Sequence, residues 1–166
     1  MNIQSAITQG AQILKNKFFL NAYLDSEILM EKVINKDRKY LLLNAQKKIE
    51  KKYLNLFKKF IDERSKGKPV SYLTKRKLFW NSEFFVTEDT LIPRPDTELI
   101  VESILKLTKN KTKLSILDIG IGSGCILLSI LREKEDFYGT GIDISKNCLK
   151  IANMNANNLK VCSRLK

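Results

Sequence analysis

The sequence predicts a mixed α/β chain in which a helical bundle precedes the opening of a parallel sheet. Three observations lead there. Residues 1–66 hold no proline and one glycine, Gly10, with apolar positions recurring at helical spacing. Leu114, Ile116, Leu117 and Ile119 form a short apolar run, followed by glycines at alternate positions, Gly120, Gly122 and Gly124, and by an apolar helical run over 125–131. A second strand-like run over 138–144 carries an acidic residue, Asp143, near its end. Strand, glycine turn, helix and strand open a Rossmann-like sheet with a ligand site at the turn.

Taken in order, Ile3, Ile7, Ala11 and Leu14 mark a first helix, and Leu24, Ile28, Leu29 and Val33 a second, with Asp25 or Ser26 placed as its N-cap. A short segment over 40–43 precedes a long helix over 45–64. Its stripe is Ile49, Tyr53, Leu56, Phe57, Phe60 and Ile61, with lysines on the other faces. Nothing in this part carries acid–base or nucleophilic chemistry, which leaves it recognition or packing. Gly67 and Pro69 break the pattern, and aromatic and β-branched residues over 70–86 suit a hairpin. Pro93 and Pro95 stiffen the next loop and hold Arg94 in one presentation. A helix over 99–107 follows, apolar at Ile100, Ile104 and Leu107. Ser145 caps a last helix whose face is Leu149, Ala152 and Ala156. The expected domains are 1–66 helical, 67–90 a hairpin linker, and 91–166 a partial Rossmann-like domain.

Composition narrows the function classes. With 43% hydrophobic and 29% charged residues the chain is globular rather than disordered. No apolar run approaches the ~20 residues of a membrane span, and the N-terminus lacks a secretory pattern, so no membrane partner is expected and a cytoplasmic location is. The absence of histidine and the scattered Cys125, Cys148 and Cys162 argue against a metal site. The net charge of +12 is uneven. Residues 1–80 carry 18 Lys+Arg against 7 Asp+Glu, whereas residues 81–166 carry 12 against 11. Such a basic half suits solvated lysine-rich helix faces or, as an alternative function, a module binding RNA or an acidic protein.

The spacing at the glycine turn bears on the ligand. A dinucleotide fingerprint is G-x-G-x-x-G, but here the pattern is G-x-G-x-G and Cys125 stands where the third glycine belongs. Asp118 precedes the first glycine, where its charge opposes a phosphate and suits a cation. S-adenosyl-L-methionine, with a sulfonium and an ammonium, fits better than a nicotinamide dinucleotide, so an oxidoreductase is the weaker reading. Asp143 follows Gly120 by 23 positions, close to the separation at which a carboxylate accepts ribose hydroxyls.

Three segments then carry a family resemblance: Pro69-Val70-Ser71-Tyr72-Leu73-Thr74, Leu91-Ile92-Pro93-Arg94-Pro95-Asp96-Thr97-Glu98, and Leu117-Asp118-Ile119-Gly120-Ile121-Gly122-Ser123-Gly124. Together with Asp25-Ser26-Glu27-Ile28-Leu29, they resemble the release-factor glutamine methyltransferases, the HemK/PrmC family, across essentially the whole chain. The resemblance implies S-adenosyl-L-methionine as methyl donor, and as acceptor the N5 amide of a glutamine in a class 1 peptide-chain release factor. It implies that Gly120, Ile121, Gly122, Ser123 and Gly124 lie along the cofactor, that Asp143 meets its ribose, and that the helical part docks the protein substrate; nucleic acid is not expected as a partner. Two departures stand out. Lys75 replaces the glycine usual after the threonine. The family's catalytic Asn-Pro-Pro-Tyr is absent, because the three prolines, Pro69, Pro93 and Pro95, all precede the glycine turn. No catalytic residue is therefore expected in this chain, and it is expected to be inactive alone.

Overall fold

The computed structural model describes residues 1–166, which divide into two compact units, Met1–Thr74 and Lys75–Lys166. Helices fill the first and short strands alternate with helices in the second. No helix is long and apolar enough to cross a membrane.

The first unit contains α1 (Ile3–Lys15), α2 (Ala22–Ile34), α3 (Arg38–Leu43), α4 (Lys51–Ser65) and α5 (Val70–Thr74). Asn2 caps α1 by accepting the Ser5 N–H, and Asp37 caps α3 by accepting the Tyr40 N–H. The helices meet around Gly10. A Cβ there would lie 2.6 Å from Ser26 Oγ and 2.9 Å from Phe57 and Ile61, so only glycine permits this approach. Ser26 Oγ in turn donates to the Ile7 carbonyl at 2.8 Å. The core gathers Ile3, Ile7, Leu14, Leu29, Met30, Phe57 and Ile61.

Several expectations need correction here. Neither Asp25 nor Ser26 caps α2, which begins at Ala22, a full turn earlier. Ser26 and Glu27 are instead buried inside the helix, so its inner face is Ala22, Ser26, Glu27, Leu29, Met30 and Val33, and Leu24 is exposed. Glu27 is matched by Arg38 at 3.2 Å, and Asp25 by Arg64 at 2.8 Å. The long helix starts at Lys51 rather than near residue 45, leaving Ile49 buried just ahead of it. Of the expected stripe only Phe57 and Ile61 are buried within α4.

The second unit opens with β1 (Arg76–Phe79) and β2 (Ser82–Phe85), an antiparallel hairpin. Trp80 and Asn81, both at positive φ, make its two-residue turn, the geometry that matches the twist of paired strands. The hairpin is shorter than the expected 70–86 because 70–74 is helical, α5. A 3-10 turn at Pro95–Thr97 leads into α6 (Glu98–Leu107), with proline at the first position, where no N–H is required. Within α6 the buried residue is Val101. Ile100 and Leu107 are exposed, contrary to the expected face.

Next come β3 (Ser115–Ile119), α7 (Cys125–Glu133), β4 (Tyr138–Ile142) and α8 (Lys146–Asn158). β3 and β4 pair in parallel, from Ser115 opposite Tyr138 to Ile119 opposite Ile142. The other edge of β4 receives the chain end: Gly141 N–H donates to the Lys166 carbonyl and Lys166 N–H to the Gly139 carbonyl, each at 2.9 Å. Gly139 and Gly141 face inward, where a Cβ would strike the side chains of Leu127 and Ile121, so bare backbone lets these residues pack on the strand. Coverage is one-sided. Leu117, Ile119, Tyr138 and Ile142 remain 59%, 75%, 54% and 47% exposed on the opposite face, so β3 is not the fully buried strand its composition suggests.

Candidate functional site

β3 delivers the chain to a turn over 120–124, and β4 delivers Asp143 beside it. The strand predicted over 138–144 ends at Ile142, which frees Asp143 to fold back toward the turn. Gly120 and Ile121 N–H both donate to the Ile142 carbonyl, at 2.8 and 3.0 Å, and lock the two strand ends together. Asp143 then accepts the Gly122 N–H at 3.0 Å through one oxygen and the Ser145 N–H at 2.9 Å through the other. These donors, Ser145 first and Gly122 second, hold its carboxyl below the ordinary range. Asp143 is therefore an anion across the neutral range, with lone pairs left for further donors.

The three glycines of the turn have different physical reasons. All sit at positive φ: 83° at Gly120, 55° at Gly122 and 81° at Gly124. Above Gly120 nothing lies within 4 Å of where a Cβ would stand, and above Gly122 only the Gly120 carbonyl, at 3.9 Å. Both therefore present bare backbone to open space. Gly124 points inward, where a Cβ would lie 2.7 Å from Leu128, so it serves the packing of α7. Ile121 and Ser123 are buried beneath the turn, Ile121 against Gly141. Of the five turn residues, Gly120 and Gly122 offer the open surface, while Ile121, Ser123 and Gly124 hold it in shape.

Asp118 supplies a second carboxylate. Burial raises its pKa, the Leu127 N–H works against that rise, and the charge of Asp143 adds to it. Two acids near one glycine turn make a poor phosphate cradle and a good setting for a cationic ligand. At Cys125, which opens α7, burial pushes the thiol up, which favours its protonated form.

Asn155 was not anticipated. It is fully buried in α8, where its side chain accepts the Phe85 N–H at 2.7 Å and donates to the carbonyls of Phe85 and Ser123, at 3.0 and 2.8 Å. One amide thus ties the hairpin to the glycine turn. The available signal was an asparagine at i+3 and i+4 from Ala152 and Ile151, on the inward face of an otherwise apolar stripe. Asp89 anchors a neighbouring loop, accepting from Asn147 at 2.8 Å and from Thr87 at 2.9 Å.

Comparison with known proteins shows what the chain resembles. Residues 5–74 match the PrmC N-terminal domain. Along 93% of its length the chain is 40% identical to a release factor glutamine methyltransferase of Leptospira interrogans, covering 54% of that protein. A protein of the same name from Shewanella oneidensis is 35% identical over 85% of the chain and 49% of its own length. That from Clostridium acetobutylicum is 32% identical over the whole chain and 58% of its own length. The chain thus spans about half the length of the curated relatives it matches. With the N-terminal domain matched and the likeness running on through the glycine turn, the chain is similar to the release factor glutamine methyltransferases, as a match to their N-terminal portion.

Proposed function

We propose that this chain is the cofactor-holding portion of an S-adenosyl-L-methionine-dependent methyltransferase acting on the N5 amide of a glutamine in a class 1 peptide-chain release factor. One observation carries the reading: the ionised Asp143 is bonded to the Gly122 N–H, beside open backbone at Gly120 and Gly122. The first half of a Rossmann-like sheet is the architecture this implies, with β3 and β4 as its first two strands.

The residues present fit the cofactor. Gly120 and Gly122 leave room for a ligand against the backbone, and Gly124, Ile121 and Ser123 keep the turn in that conformation. Asp143 is available to ribose hydroxyls, and the negative field of Asp118 and Asp143 favours a cation. When bound, S-adenosyl-L-methionine supplies a methyl group activated by its sulfonium. The chain's part is to hold and orient that donor. Orienting the acceptor is a separate task, because an amide nitrogen is a weak nucleophile and alignment is worth roughly 7–11 kcal/mol of barrier in favourable cases. The Asn-Pro-Pro-Tyr motif expected to clamp the amide is not in this sequence, so residues 1–166 bind donor but do not turn it over.

Calorimetric titration of the purified chain tests this directly. S-adenosyl-L-methionine should bind and should not be displaced by a nicotinamide dinucleotide, while no methyl should pass to a release factor. Dinucleotide binding at the same site would overturn the donor assignment. Transfer by the chain alone would overturn the division of labour.

A further inference from the structure

A concavity on the helical unit is independent of the cofactor reading. A cavity of about 200 Å³ opens beside Tyr40, with Ile3, Ile34 and Ile49 among its lining and Lys36, Lys47 and Lys48 around it. Lys36 and Lys47 both stand against the Tyr40 ring, 5.6 and 5.7 Å from its centre, and Lys47 Nζ also donates to the Tyr40 hydroxyl at 3.1 Å. That hydrogen bond raises the Lys47 pKa. The cavity's one carboxylate, Glu50, is committed to Lys52 at 3.0 Å. Three ammonium groups are thus gathered at one concavity beside a single carboxylate, Glu50, whose charge reaches Lys47 as well as Lys52.

Like charges held together raise the local potential and favour an anion. The lining decides which anion. A nucleic acid would need free aromatic faces for its bases, but both rings of the lining already carry ammonium groups, Lys36 and Lys47 on Tyr40 and Lys52 on Tyr53. An apolar floor under a cationic rim instead suits a side chain with an aliphatic stem and a carboxylate head. We infer that this cavity takes an acidic, leucine-containing segment of a protein partner, its carboxylates meeting Lys36, Lys47 and Lys48 and its apolar groups meeting Ile3, Ile34 and Ile49.

The test uses the full 166-residue chain and a fluorescein-labelled peptide, acetyl-Glu-Leu-Glu-Glu-Leu-Glu-amide, followed by anisotropy. A counterpart with glutamine for every glutamate should bind at least tenfold more weakly. The variant Lys36→Gln/Lys47→Gln/Lys48→Gln should lose at least tenfold while melting as the parent does, since all three positions are exposed. A charge-matched control, Lys15→Gln/Lys17→Gln/Lys32→Gln, should stay within twofold. Equal losses in the two triple variants would reduce the effect to net charge and overturn the site, as would failure of the acidic peptide to bind. A twelve-nucleotide oligouridylate bound more tightly than the peptide, and through the same three lysines, would overturn the choice of partner in favour of RNA.

Discussion

Asp143 sits with both carboxylate oxygens on backbone donors, Gly122 and Ser145. Hydrogen bonds to charged groups contribute about 1.5–3 kcal/mol each, so through the proposed contact of Asp143 with the ribose hydroxyls, Asp143→Asn should weaken S-adenosyl-L-methionine binding by roughly tenfold or more on a calorimetric titration. The pH dependence follows in sign. Its folded pKa lies below the ordinary carboxylate value of about 3.9. The stability its bonds contribute is thus fully present above that value and is lost as pH falls through the lower folded one. Cofactor affinity should accordingly stay flat from neutrality down to about pH 5 in so far as it depends on this group. The glycines separate two effects that look alike in sequence. Gly141→Ala places a methyl into Ile121 and should cost about 1–3 kcal/mol of stability in denaturant melts, as overpacking does. Gly122→Ala meets open space, so its cost is the left-handed backbone, about 1–2 kcal/mol, and the larger loss should appear in cofactor affinity.

Single elements show why some of this was legible. α1 reads correctly because all four of its marked residues, Ile3, Ile7, Ala11 and Leu14, face one core. α2 starts a turn earlier than its pattern suggests because its inner face contains Ser26, bonded to the Ile7 carbonyl, and Glu27, ion-paired with Arg38, which no hydropathy pattern counts as interior. α6 misled in the opposite direction: Ile100 and Leu107 keep helical spacing yet remain exposed, and Val101 alone is fully buried. α8 was placed correctly by its Ser145 cap, but the weight of Asn155 was not. Asn155→Ala would leave the Phe85 N–H and the Phe85 and Ser123 carbonyls without their partner. Each buried polar group so orphaned costs about 1–3 kcal/mol. Thermal unfolding should show a loss at least that large, together with weaker cofactor binding through the disturbed turn.

At the scale of the molecule, the parallel sheet is covered on one face and bare on the other. Leu117, Ile119, Tyr138 and Ile142 form a contiguous exposed apolar face, and an apolar face of that kind promotes association. Sedimentation velocity of the 166-residue chain should reveal concentration-dependent self-association, and Leu117→Lys/Ile119→Lys should reduce it without altering the helical unit's circular dichroism. A monodisperse parent at high concentration would contradict the expectation.

By itself, the sequence determined what local chemistry can specify. Helices arose where apolar residues recur at i, i+3 and i+4, the hairpin where aromatic and β-branched residues cluster, and the glycine turn where alternate glycines follow a β-branched run. The separation of Gly120 and Asp143 was also in the sequence, since a strand–helix–strand unit has a set length. Tertiary structure decided which of these residues face one another. It sorted Gly120 and Gly122, which face open space, from Gly124, Gly139 and Gly141, which make room for side chains. It also placed Asn155 between hairpin and turn and left one sheet face bare. Those outcomes depend on what lies across a contact rather than along the chain, and a buried polar group is recognisable only once its partner is in place.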